Sequence, residues 1–273
     1  MQEPEKRRRG RPRAFNPSPE AGAVQALDRG LAILKIVAEA DAQSLSEIAG
    51  RSGQPASTAY RMLVTLQRHG MVEFDEATQL WSVGVEAYTT GAAFLRRRKL
   101  ADRSRALMQG LVEHTGETAN LGLLEGDGVV FVSQVETHEA IRAFFRPGTR
   151  GPLHASGIGK AMLAGMSPER VAAILRRTGL PGFTPRTLTD PATLARDLSE
   201  ARARGWALDD EERHAGMRCV AAAIFDDNGE PVGGLSVSGP TVRVTPEQAA
   251  RFGPLVREAA LEVTRATGGR IPD

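Results

Sequence analysis

Ser44-Leu45-Ser46-Glu47-Ile48-Ala49-Gly50-Arg51-Ser52-Gly53, with the segment from Pro55 to His69 and two strand-like runs ending near Trp81, decides the reading of this chain. Ser44 stands three residues before Glu47, the capping-box spacing that satisfies free amides at a helix start. Gly53 supplies a residue that takes positive φ and ends that helix. Pro55, whose fixed φ suits a first helical turn, opens a second helix that runs to about His69 and stops at Gly70. At about 100° per residue, Ala59, Met62, Leu63 and Leu66 share one apolar face, Ser57, Arg61 and Arg68 fall opposite, and Thr58, Tyr60 and Thr65 flank them. Met71-Val72-Glu73-Phe74 and Leu80-Trp81-Ser82-Val83 then bracket a polar turn as a two-stranded wing.

Taken alone, the outer face of the second helix fits an ordinary solvated surface as well as a binding one. Helix, turn, helix and wing together point to a reader of double-stranded DNA. In a major groove, arginine pairs bidentately with guanine and hydroxyls meet base edges or phosphates. The DNA-reading positions are expected at Ser57, Thr58, Tyr60 and Arg61, with Thr65 beside them and Arg68 on phosphate.

The 273 residues, 41% hydrophobic and 25% charged, suffice for two domains with cores of their own. No apolar run reaches the roughly 18 to 20 residues a membrane helix needs, and the basic N-terminus has no apolar segment behind it. Neither a span nor a signal peptide is expected, which places the chain in the cytoplasm. Cys219 is the only cysteine, so no intrachain disulfide forms. Residues 1–13 hold six of the 35 basic residues and two of the 33 acidic ones, which leaves 29 against 31 in the remainder. The basicity therefore belongs to the tail. Its Arg9-Gly10-Arg11-Pro12 resembles an AT-hook core, whose arginines enter a narrow minor groove; the preferred reading is a generic basic arm on phosphates.

Four regions follow from the patterning. Residues 1–22 read as a disordered basic arm, 23–84 as a winged helix-turn-helix domain, 85–113 as a linker helix and 114–270 as an effector-binding domain. In the second region, Leu27, Leu31, Leu34, Ile36 and Val37 recur at helical spacing and are expected beneath the DNA reader. The Arg96-Arg97-Arg98-Lys99 cluster of the linker fits a solvated face or a DNA contact. In the last region, strands at 118–124 and 129–135 form a hairpin, with 141–145 as a candidate extension. Helices are expected at 155–164, 168–177, 191–204 and 246–266, the last capped by Thr245, and strands at 219–225 and 232–238. The class is α+β with an antiparallel sheet.

The richest local chemistry is Pro152-Leu153-His154-Ala155-Ser156-Gly157-Ile158-Gly159-Lys160, small residues turning into a helix whose first amides attract an anion. A phosphate loop would need glycine where His154 stands and a hydroxyl where Ala161 stands, so a nucleotide is excluded. Asp209, His214, Cys219, Ser236 and Ser238 invite a nucleophile or a metal, or are ordinary polar residues at strand ends. No CxxC or HExxH spacing supports a metal, and no cofactor or catalysis is expected. Ser236 and Ser238, two apart on a strand, share a face and with the amides of Gly157 and Ile158 would hold a small carboxylate without lysine or arginine.

From about residue 25 to 268 the chain resembles the IclR family of bacterial transcriptional regulators. The matching motifs are Leu153 to Ala161, Asp209-Asp210-Glu211-Glu212 through Gly216-Met217-Arg218-Cys219-Val220-Ala221, and Ser236-Val237-Ser238-Gly239-Pro240. The resemblance implies a winged helix-turn-helix, a linker helix and a GAF-like effector domain, acting as homodimers or homotetramers on palindromic operators. Within the family the chain looks closest to members that sense glyoxylate and pyruvate. Their pocket, carried over by motif, sets the effector against the amides of Gly157 and Ile158 and the side chains of Asp209, Cys219, Ser236 and Ser238. Ala140, Ala143 and Gly151 stand where those members carry larger aliphatic residues, and Ile158 replaces a small one. The polar set implies a 2-oxo acid such as glyoxylate, and the reshaped wall leaves a larger or aromatic carboxylate as the second reading. An enzyme using Cys219 is a distant third. Asp209 beside an anion is expected to have a raised pKa.

Overall fold

The computed structural model of the chain describes residues 24–97 and 100–272 and divides into two units, one ending at Arg96 and one starting at Arg97. The arm with Arg9 and Arg11, and Arg98 and Lys99 of the basic cluster, lie outside the described residues.

In the first unit, α1 (Gln25–Val37), β1 (Gln43–Ser44), α2 (Leu45–Ser52), α3 (Ala56–Arg68), β2 (Val72–Asp75), β3 (Leu80–Val83) and α4 (Val85–Arg97) follow in order. The capping box at Ser44 is complete: its hydroxyl accepts from the Glu47 amide, and its own amide donates to the Glu47 carboxylate at 2.8 Å. Gly53, at φ 63°, ends α2. Pro55 stands one residue outside α3, because its ψ of 141° is extended, so α3 opens at Ala56. Strand β1, too short to show any alternation in sequence, joins the wing in the order β1-β3-β2. The core holds Ile33, Val37, Ile48, Ala49, Ala59, Leu63, Val72 and Trp81, and Trp81 packs against Phe74 at 4.7 Å and edge-on to Tyr60 at 6.5 Å. One expectation fails: Leu27 and Leu31 are 61% and 47% exposed, whereas Ile33 and Val37 are fully buried. At about 100° per residue Leu31 stands some 200° from Ile33, on the opposite side of α1.

The second unit contains α5 (Leu100–Thr115), β4 (Thr118–Glu125), β5 (Gly128–Val135), β6 (Arg150–Pro152), α6 (Gly157–Gly165), α7 (Pro168–Thr178), α8 (Pro191–Arg204), β7 (Ala207–Asp210), β8 (Met217–Phe225), β9 (Pro231–Pro240) and α9 (Pro246–Ala266). Its six-stranded antiparallel sheet runs β6-β5-β4-β9-β8-β7. Alternation divides the side chains between two cores. Val220, Ala222, Ile224, Leu235 and Val237 pack with α5 and α9, and Ala221 and Ala223 pack with α6 and α8. Because Leu100, Met108 and Leu111 are part of the first of these cores, α5 belongs to the second unit rather than to a free linker. Residues 141–145 form no strand; β6 takes the sheet edge beside β5, and Phe145 is held by stacking on Phe131 at 4.6 Å.

Candidate functional site

On α3, Ser57, Tyr60, Arg61, Thr65 and Arg68 are exposed and Thr58 is half-buried. Among the described residues, the side chains of Ser57, Arg61 and Arg68 have neither a hydrogen bond nor an ion pair, which leaves their donors available. Thr65 differs, because its hydroxyl donates to the Arg61 carbonyl at 2.8 Å, one turn back along the helix.

The second unit concentrates its chemistry where α6 meets β8. Ser156 caps α6, its hydroxyl accepting from the Gly159 amide at 3.2 Å and donating to the Pro152 carbonyl at 2.8 Å. The close approach demands glycine: a Cβ on Gly157 would stand 2.7 Å from Cys219 Sγ, and one on Gly159 2.3 Å from the Leu153 carbonyl oxygen. A cavity of about 630 Å³ opens at this corner, and Gly157, Ile158, Asp209, Cys219, Ser238, Ala143 and Gly151 border it. Ser236 shares the β9 face with Ser238 but is fully buried behind this wall. Ala140 is exposed and stands away from the cavity, whose covering segment first reaches it at Arg142.

The wall also holds groups that sequence spacing did not reveal. Arg142, Arg146, Arg150, Arg213 and Arg218 border the cavity against a single carboxylate, Asp209, which corrects the expectation of a site without arginine. They come from a loop, a sheet edge, the turn between β7 and β8, and β8 itself, so no periodicity links them. Arg142 pairs with Glu136 at 2.7 Å, Arg218 pairs with Asp210 at 2.6 Å, and Arg213 lies 4.0 Å over the Phe183 ring. The stacked Phe131 and Phe145 form an aromatic side of the wall.

Burial pushes the Asp209 carboxyl up to about 6, opposed by the Glu212 amide, 2.8 Å from Oδ1, and by the Lys160 charge. Burial, and then the Asp209 charge, pushes the Cys219 thiol up to about 11. Its sulfur reaches the cavity surface yet is enclosed by protein, so at neutral pH it remains a thiol, the opposite of an activated nucleophile. The hydroxyls of Ser236 and Ser238 ease that shift, but among the described residues neither finds a partner in good hydrogen-bond geometry. Burial, and then Arg213, lowers the His214 pKa, favouring neutral imidazole. Donors, a thiol and a cationic rim around one protonatable acid suit a small anion. Among the described residues, no cluster of three metal-ligating side chains occurs and no helix is long and apolar enough to cross a membrane.

Residues 26–76 match the family described as the IclR helix-turn-helix domain, and residues 92–265 match the family described as bacterial transcriptional regulator IclR C-terminal. The chain is 52% identical to the HTH-type transcriptional regulator BhcR of Paracoccus denitrificans, over 94% of each chain. It is 40% identical to the acetate operon repressor of Salmonella typhimurium, over 96% of this chain and 97% of the repressor. Among solved structures, an IclR homologue from Microbacterium hydrocarbonoxydans complexed with 4-hydroxybenzoate superposes with a TM-score of 0.76 at 27% identity, over 88% of this chain and 99% of the other.

Proposed function

Since the chain belongs to the IclR family of bacterial transcriptional regulators, and is thus a DNA-binding regulator, we propose that a small carboxylate filling the α6–β8 cavity controls its operator affinity. The observation that carries this reading is the cavity itself: the Gly157 and Ile158 amides begin α6 at its wall, with the unpartnered Ser238 hydroxyl and the Cys219 thiol beside them. These donors suit a carboxylate with an adjacent oxo group, and glyoxylate is the effector of choice. A second reading, a larger or aromatic carboxylate, draws support from the Phe131–Phe145 stack, the small Ala143 and Gly151 in the wall, and the 4-hydroxybenzoate bound by the Microbacterium homologue.

On the DNA side, Ser57, Thr58, Tyr60 and Arg61 read base edges and Arg68 holds phosphate, while the basic arm with Arg9 and Arg11 adds sequence-independent attraction. The regulator works in the cytoplasm as a dimer or tetramer, each pair of α3 helices reading one palindromic operator. Effector control requires different effector affinities for the DNA-competent and DNA-incompetent states. Fluorescence anisotropy on DNA from upstream of its own gene, at fixed salt, tests the reading. Glyoxylate shifts the operator affinity if the first reading is right; a response to 4-hydroxybenzoate alone selects the second. Replacing Ser236 and Ser238 together by alanine leaves operator binding intact and abolishes the response, and unchanged calorimetric effector binding by that variant would overturn the site.

A further inference from the structure

Behind Asp209, on the side away from the cavity, lies a second set of charges that DNA binding and effector contact do not use. Lys160, in the first turn of α6, has no exposed surface. Its ammonium donates to Glu212 Oε1 at 2.5 Å and lies 2.9 Å from Asp197 Oδ2, off the hydrogen-bond direction. Among the described residues, Glu212 Oε2 and Asp197 Oδ2 have no hydrogen-bond partner. Two carboxylates, Glu212 and Asp197, thus share one ammonium, and Asp209 is tied to them through the Glu212 amide at 2.8 Å.

We propose that this cluster couples effector binding to a proton: the carboxylate ligand enters with one H⁺, which Asp209 takes up and presents to the ligand as an O–H donor. Lys160 and Glu212 are positioning residues in this scheme, and the inference rests on the carboxylate reading of the cavity. The turn that holds Asp209 gives it little room to move away. Glu211 adopts φ 62°, in the left-handed region, and is held there by the Thr184 hydroxyl on its carbonyl at 2.7 Å. The Thr187 hydroxyl donates to the Glu212 carbonyl at 2.6 Å, and the Glu212 amide donates to Asp209 at 2.8 Å. A strained residue kept in place by several partners is a common mark of a functional position.

Most of the cations that face Asp209 are already engaged by other groups. From α6 comes Lys160, already engaged by Glu212, and from α8 comes Asp197. From β8 come Cys219 and Arg218, the latter tied to Asp210 and the Val244 carbonyl. Its own turn supplies Asp210, Glu212, Arg213 and His214, and Arg142, Arg146 and Arg150 stand in the cavity wall. Lys160, Arg142, Arg150, Arg213 and Arg218 form no ion pair with Asp209 among the described residues. Two carboxylates brought together in such a site share a proton, as in paired acids generally. Burial has already raised Asp209 to about 6 and Glu212 to about 7, so little further change is needed near neutral pH.

The test is calorimetric titration of the full chain with glyoxylate between about pH 5.5 and 8.5, in buffers of different ionisation enthalpy. Above about pH 6, Kd should rise roughly tenfold per pH unit, with one proton taken up per effector. Asp209→Asn, which cannot ionise, should bind with a flat pH profile and no proton uptake. Glu212→Gln frees Lys160 to stabilise ionised Asp209 and should move the steep range to lower pH. A flat profile for the unaltered protein, or an Asp209→Asn variant that keeps the slope, overturns the coupling. If neither glyoxylate nor 4-hydroxybenzoate gives heat at any pH, the carboxylate reading fails instead. Carboxyl-carbon NMR of the free protein then judges the cluster by itself, and an Asp209 that titrates in the ordinary aspartate range overturns it.

Discussion

Asp209 and Arg61 show how much a single side chain owes to its surroundings. The Asp209 carboxyl titrates near 3.8 when unfolded and near 6 when folded, so between these values the native state binds the extra proton. Stability therefore falls as pH rises through that window and is level above it, and the ionised, buried group costs about 2–3 kcal/mol at pH 8. Asp209→Asn keeps an acceptor for the Glu212 amide and removes the charge. Denaturant unfolding should show a gain of about 1–3 kcal/mol at pH 8 that shrinks toward pH 4. An equal gain at both pH values would place the effect elsewhere. Arg61 is the opposite case, exposed and without a partner among the described residues, so its value lies outside the fold. Arg61→Ala should leave the melting temperature unchanged and relax base preference at one position per half-site, at a cost of about 1–3 kcal/mol. Equal loss on every DNA sequence would assign it to phosphate.

At the scale of elements, local signals held where hydrogen bonds between near neighbours decide the structure. Ser44, Glu47 and Gly53 delimit α2 through contacts within a few residues, and Thr245 caps α9 in the same way. Ser44→Ala should lower the stability of the first unit by about 1 kcal/mol, read as a downward shift in its thermal transition. A variant as stable as the parent would mean that packing alone holds α2. Elements without a local signature stayed hidden. Strand β1 has two residues and β7 has four, two of them aspartates, and each exists because a partner strand completes its ladder. Leu27 and Leu31 misled for a related reason, since a helix shows its apolar spacing whichever side its neighbours cover.

For the whole molecule, the uneven charge sets the expected DNA behaviour. With its first 13 residues removed, the chain loses six bases and becomes slightly acidic overall. That truncation should weaken operator binding and flatten its salt dependence, each lost phosphate contact reducing the slope of log K against log salt by about 0.9. An unchanged slope in a salt titration would remove the arm from the DNA interface. By itself, the sequence determined the helix-turn-helix with its wing, the hairpin of β4 and β5, a helix over about 155–164 and the α+β class, because capping, turn chemistry and periodicity act over a few residues. Only the tertiary structure decided which of these residues share a cavity. Lys160 and Glu212 are 52 positions apart, the arginines of the wall come from a loop, a sheet edge, a turn and a strand, and Asp209 owes its raised pKa to burial. Desolvation and long-range charge depend on atoms that only the folded chain brings together.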